Sequence, residues 1–186
     1  VLSLLISSLA VHILNALIYQ VRPAADAFYP SASEPWSQWL SGVAGKEPQP
    51  YYDPLALAIE EAHRYGMEFH AWFNPFRADL GWDSTKLLAS NHVASRHPNW
   101  CISYGSNLYL DPGLPAVRTH VVQRILEVAR RYDIDAVHLD DYFYPYQIAG
   151  IPFPDDESFL KYGSPMADRG DWRRDGRRGL WLHRRD

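Results

Sequence analysis

Polar side chains able to do chemistry gather at the ends of three short apolar runs. The first ends in Gln20-Val21-Arg22, the second in His70-Ala71-Trp72-Phe73-Asn74 with Arg77 just beyond, and the third in His138-Leu139-Asp140-Asp141. Asp140 is the carboxylate best suited to general acid, general base or nucleophilic work. A buried acid beside a second acid, here Asp141, can hold its proton to higher pH and become a donor. The plainer alternative makes Asp141 the cap of a turn and pairs Asp140 with Arg22 or Arg77. His70 and His138 could orient a hydroxyl, support Asp140 or join it around a metal. No H-x-H or H-x-x-E-H spacing accompanies them, so no metal is assigned. Arg22, Asn74 and Arg77 carry donors for substrate oxygens, or for ion pairs that brace loops. Trp72, Tyr142 and Tyr144, with Trp36, Trp39, Phe143 and Tyr146, offer flat faces with a polar handle, suited to a sugar ring or to loop packing. Asp26 and Asp111 read as caps or turn residues, and Cys101 as a small buried or half-buried apolar residue.

Those runs must be held by elements that repeat. A helix-like stretch leads into a strand-like run three times, at Asn15 to Arg22, Met67 to Asn74 and Ile134 to Asp141. Asp53-Pro54 suits a helix start, since Asp caps free N–H groups and Pro fits the first helical position. Leu55, Ile59 and Ala62 then share a face, and Gly66 can close the helix in a left-handed conformation. The next helix runs from Pro115 to about Tyr132 on a stripe of Val117, Val121, Ile125 and Val128. Strands entered from helices in a constant order imply parallel βα units rather than hairpins. Alternation along each strand puts Ala16, Ile18, Gln20 and Arg22 on one face with His70, Trp72, Asn74, Ala136, His138 and Asp140. Leu17, Tyr19, Val21, Phe69, Ala71, Phe73, Val137 and Leu139 face the helices. No G-x-G-x-x-G or phosphate loop supports a doubly wound sheet. A (β/α)8 barrel fits better, with long loops Pro23 to Tyr52 and Pro75 to Leu114 carrying the site. Such a barrel needs roughly 250 residues. With 186 residues and three evident strands, either the chain is a piece of a barrel or the barrel reading fails.

Composition sets the outer bounds. The chain is 47% hydrophobic, with 18 Lys+Arg against 22 Asp+Glu and a formal charge of −4, which disfavours nucleic acid or an anionic membrane as the main partner. A single cysteine excludes an internal disulfide framework and a multi-Cys zinc site. Val1 to Gln20 is apolar, but it is interrupted by Ser3, Ser7, Ser8, His12 and Asn15. It has neither a basic leader nor a small-residue cleavage site, and reads as a buried helix entering a strand, without stable membrane insertion. The sequence starts without Met, so the true start is expected upstream. From about Asp168 the composition shifts to crowded arginines without apolar period. Residues 1–167 are therefore expected to form the folded domain and 168–186 a basic tail, disordered or aberrant.

Taken in order, Gln20-Val21-Arg22-Pro23-Ala24, Asp26-Ala27-Phe28-Tyr29-Pro30, Glu34-Pro35-Trp36-Ser37, Tyr52-Asp53-Pro54-Leu55, Phe69-His70-Ala71-Trp72-Phe73-Asn74-Pro75, Leu110-Asp111-Pro112-Gly113 and His138-Leu139-Asp140-Asp141-Tyr142-Phe143-Tyr144-Pro145 resemble the bacterial glycosyl hydrolase-like family ten over about residues 2 to 175. The resemblance implies a TIM-barrel glycoside hydrolase of the cell envelope or secreted, some members cutting peptidoglycan glycan strands stripped of peptides. It implies a partial (β/α)8 barrel of three to four βα units, with a strand before the first helix and further units after Asp175 not in this chain. A frame shift or a mispredicted end at Gly176-Arg177-Arg178-Gly179 would produce that end. Matching positions Arg22, His70, Asn74, Asp140 and Asp141 stand at strand ends the family uses for its cleft. Glycoside hydrolysis needs two carboxylates about 5 to 10 Å apart, and only the strand end at Asp140 supplies any here. No cofactor is implied, and the expected partner is a polysaccharide or oligosaccharide. The rivals are a non-catalytic carbohydrate-binding barrel and a metal-dependent hydrolase using His70, His138 and Asp140.

Overall fold

A computed structural model describes residues 14–139 and 145–163. The helix expected from Val1, the residues Asp140, Asp141, Tyr142, Phe143 and Tyr144, and the tail from residue 168 lie outside them. In chain order the elements are β1 (Ala16–Arg22), α1 (Gln38–Ser41), α2 (Pro54–Arg64), β2 (Glu68–Phe73), β3 (Arg77–Leu80), α3 (Val93–Arg96), a 3-10 turn (Pro98–Trp100), β4 (Cys101–Tyr104), β5 (Asn107–Leu110), α4 (Pro115–Arg131), β6 (Ala136–Leu139) and α5 (Asp156–Tyr162).

The three expected strands form one parallel sheet in the order β1-β2-β6, with Ile18 opposite His70 and Trp72 opposite His138. Parallel neighbours need a crossover on one face, and α2 and α4 provide it. The α2 start follows from chemistry already visible in the sequence. The Asp53 carboxylate accepts from the Leu55 and Ala56 N–H groups, Pro54 takes the first position, and Gly66 adopts φ 70° just past the end. Leu55, Ala58, Ile59 and Ala62 pack on Val21, Phe69, Ala71 and Phe73 to form one core. Val128 of α4 joins that core, while Val117 and Val121 join a second built on Phe76, Ala78, Val93, Leu108 and Leu110. A single 17-residue helix thus ties both cores together. Asp135 pins the entry to β6, accepting from the Phe69 N–H at 2.7 Å and meeting His63 at 2.8 Å.

Two expectations are corrected. The stretch Pro75 to Leu114 is not an open loop: it holds an antiparallel sheet in the order β3-β5-β4. Gly105 (φ 61°) turns β4 back onto β5. The helix-facing residues of β6 are not covered, since Val137 and Leu139 remain 41% and 40% exposed, whereas their row-mates Ala71 and Phe73 are fully buried. Among the described residues no helix is long and apolar enough to cross a membrane.

Candidate active site

Parallel strands deliver their C-terminal ends to one side, and Arg22, Asn74 and Leu139 stand there together. On the face away from α2, alternation brings His70, Trp72 and His138 side by side as expected. The Trp72 and His138 rings meet edge to face, 6.0 Å apart at 89°. The Trp72 indole N–H is buried and has no hydrogen-bond partner among the described residues. A buried donor without an acceptor is rare in a finished fold. His70 lies toward the start of the strand, its Nε2 2.9 Å from Glu68. Asp140, two residues beyond His138 in sequence, lies outside the described residues, as do Asp141, Tyr142 and Tyr144.

Arg22 departs from the expected alternation. The β1–β2 register shifts between Gln20 and Arg22, so Arg22 stands opposite Phe73. Its side chain is fully buried. Nε and Nη2 grip Glu34 at 2.6 to 2.9 Å, and Nη1 donates to the carbonyls of Asn74 and Pro75 at 2.7 and 3.1 Å. With no exposed edge, this guanidinium braces the loop after β1 against the end of β2 instead of reaching a sugar oxygen. Among the described residues Glu34 is the carboxylate that Arg22 meets. Burial alone would raise the Glu34 carboxyl, but the charge and hydrogen bonds of Arg22, with His120 beside it, outweigh that and hold it down at about 2. His120 Nε2 lies 3.5 Å from Glu34 Oε1.

Other side chains on the loops near these strand ends have partners of their own. Asn74 Oδ1 accepts from the Arg77 N–H at 2.9 Å, and Arg77 opens β3 opposite Tyr109. Asp26 accepts from the Ala24 N–H at 2.9 Å, and burial raises its pKa. Asp111 accepts from the Gly113 N–H at 2.8 Å. Both are the turn residues the sequence suggests. His92 caps α3 through Nδ1, which accepts from the Ala94 N–H at 3.1 Å. Burial lowers its pKa, consistent with a neutral ring. Burial pushes the half-buried Cys101 thiol up to about 12, too high for a nucleophile at neutral pH. Among the described residues no three His, Cys, Asp or Glu converge in a way that could hold a metal ion.

Sequence reasoning gave no role to Glu34 or His120. Their partners lie far along the chain, and no spacing rule links residue 34 to residues 22 and 120. Glu34 did fall in one of the quoted family motifs, the only signal available.

Known proteins place this arrangement in context. A model of the family described as Glycosyl hydrolase-like 10 matches residues 3–180. The chain is similar to "Glycosyl hydrolase YngK" of Bacillus subtilis, 52% identical over 163 residues, covering 87% of this chain and 32% of that protein. It is also similar to "Glycosyl hydrolase DigH" of Escherichia coli, 36% identical over 175 residues, covering 90% and 39%. It spans about a third of the length of these relatives. Among solved structures, an alpha-L-fucosidase from Paenibacillus thiaminolyticus aligns with TM-score 0.55 at 19% identity, covering 95% of this chain and 25% of that one. An alpha-galactosidase from Geobacillus stearothermophilus aligns with TM-score 0.53 at 14% identity, covering 97% and 24%. At these identities the likeness is one of fold, here the TIM-barrel-type fold of glycosidases. By the length of its family match and by its curated relatives, the chain belongs to the glycosyl hydrolase-like family 10.

Proposed function

We propose that this chain is one part of a (β/α)8 barrel that hydrolyses glycosidic bonds in a bacterial envelope polysaccharide, peptidoglycan glycan strands among the candidates. Residues 1–167 form the barrel part and 168–186 a separate basic tail. Asp140 serves as acid/base or nucleophile, with Asp141 tuning it. Trp72, His138, His70, Asn74, Arg77, Tyr142 and Tyr144 hold the sugar. A second carboxylate across the scissile bond comes from a βα unit outside these residues. The reading extends to a location in the envelope or outside the cell.

The observation that carries it is the pair of Trp72 and His138 at the C-terminal end of a parallel sheet, with a buried indole N–H lacking an acceptor. Barrel enzymes keep their chemistry on that side, and Asp140 follows His138 by two residues. Family membership and the glycosidase-type fold support the reaction class.

The test is a chimera in which this chain replaces the matching third of the Bacillus subtilis relative. It is assayed for new reducing ends on glycan strands freed of peptides. Turnover is expected, with Asp140→Asn lowering it about 10²- to 10⁴-fold, the usual scale of acid–base catalysis. Saturable glycan binding with no new reducing ends would make the barrel a binding module instead.

A further inference from the structure

A cavity of about 550 Å³ lies between the 3-10 turn at Pro98–Trp100, the start of α4 and the short helix α5. It falls in the range of small-ligand sites, and its walls mix two aromatic rings with convergent polar groups: Trp100 and Tyr162, Asp111 and Glu157, Asn99 and Lys161. Each wall is fixed by something else. His97 stacks on the Trp100 indole at 4.0 Å and 10°, and His120 meets the same ring from the side at 5.9 Å. Asp111 is bound to the Gly113 N–H. Gly113 in turn sits so close to α5 that an added Cβ would lie 2.7 Å from Ser158 Cβ and Oγ. The Lys161 ammonium lies over the Tyr162 ring, 5.3 Å from its centroid. The strands of the parallel sheet end on the α4 start side, since α4 runs back to the beginning of β6. The start of α4, one wall of the cavity, therefore lies toward the strand ends near Trp72 and His138.

We propose that this cavity is a second saccharide-binding subsite, holding one or two neutral pyranose units of a glycan whose neighbouring units reach the sheet ends. The chemistry fits that class. Aromatic rings meet the apolar C–H faces of a pyranose. Asp111, Glu157 and Asn99 accept from its hydroxyls, and Lys161 donates to them. Two carboxylates against one ammonium disfavour an anionic ligand. The proposal rests on the glycoside reading above and deepens it, since it implies a substrate of several linked sugars rather than a single capped residue.

The test is titration of the ¹⁵N-labelled chimera described above, held inactive by Asp140→Asn, with chitotetraose and in parallel with cellotetraose, following amide shifts. Saturable shifts at Asn99, Trp100, Ala116, Ser158 and Tyr162 are expected. Tyr162→Ala is expected to weaken binding about tenfold, the scale of one lost aromatic contact, and Glu157→Gln to weaken it less. Leu87→Ala, at a 94% exposed residue outside the cavity, is expected to change nothing. Shifts confined to the ends of β1, β2 and β6, unaltered by Tyr162→Ala, would overturn the subsite and leave the glycoside reading standing. Absence of any saturable shift with either sugar would also overturn the subsite, while turnover by the chimera decides the glycoside reading independently.

Discussion

The fully buried Arg22 and Glu34 face each other beside the C-terminal end of the parallel sheet, and that pair sets the behaviour of the residues around it. Removing one partner strands the other charge away from water, so Glu34→Ala is expected to cost about 3 to 5 kcal/mol in thermal or denaturant melts. The pair also predicts a pH dependence. Glu34 is held at about 2 against an ordinary 4.5. Its contribution is fully present above the ordinary value and is lost as pH falls toward the folded one. Stability measured between about pH 5 and pH 2 should therefore decline, and Glu34→Gln should flatten that decline; an unaltered acid limb would show that other carboxylates control it. At this scale the sequence revealed residue types better than partners. Alternation correctly put Trp72 beside His138, because β2 and β6 are regular. It failed at Arg22, because a register shift at the end of β1 breaks the period of two.

Elements were most legible where local chemistry alone decides them. Helix α2 begins and ends where Asp53, Pro54 and Gly66 dictate, since capping and positive φ depend on a few adjacent residues. Gly66→Ala meets no steric obstacle, so its expected cost of about 1 to 2 kcal/mol is backbone strain alone, readable in chemical denaturation. Gly113→Ala acts differently. Its Cβ must push Ser158 aside, and faster amide exchange across Asp156–Tyr162 is expected while β1 and β2 keep their protection. The antiparallel sheet was missed although its hairpin is written in the sequence. Gly105-Ser106 separates two four-residue runs of strand-forming residues, and the expectation of uniform βα units overrode it. The short helix α5 gave no comparable signal, because seven residues carry too little period to read.

For the whole molecule, the parallel sheet leaves β1 and β6 as its edge strands among the described residues, with Ile18 51% exposed on one and Val137 and Leu139 uncovered on the other. Unpaired edges with exposed apolar residues invite association. The isolated chain is expected to self-associate in sedimentation at micromolar concentration or to bind a hydrophobic dye; a monomer with a cooperative melt would contradict this. Fold class was legible from the repeated order of helix and strand, and the family from its run of motifs. A second carboxylate to act with Asp140 in the proposed reaction was not, since one strand end does not place two carboxylates across a scissile bond. The decisive measurement is release of reducing ends from peptide-free glycan strands by the chimera, with Asp140 intact and with Asp140→Asn. A loss of at least about 100-fold with the melting temperature unchanged is predicted, and turnover equal to that of the intact chimera would remove Asp140 from the chemistry.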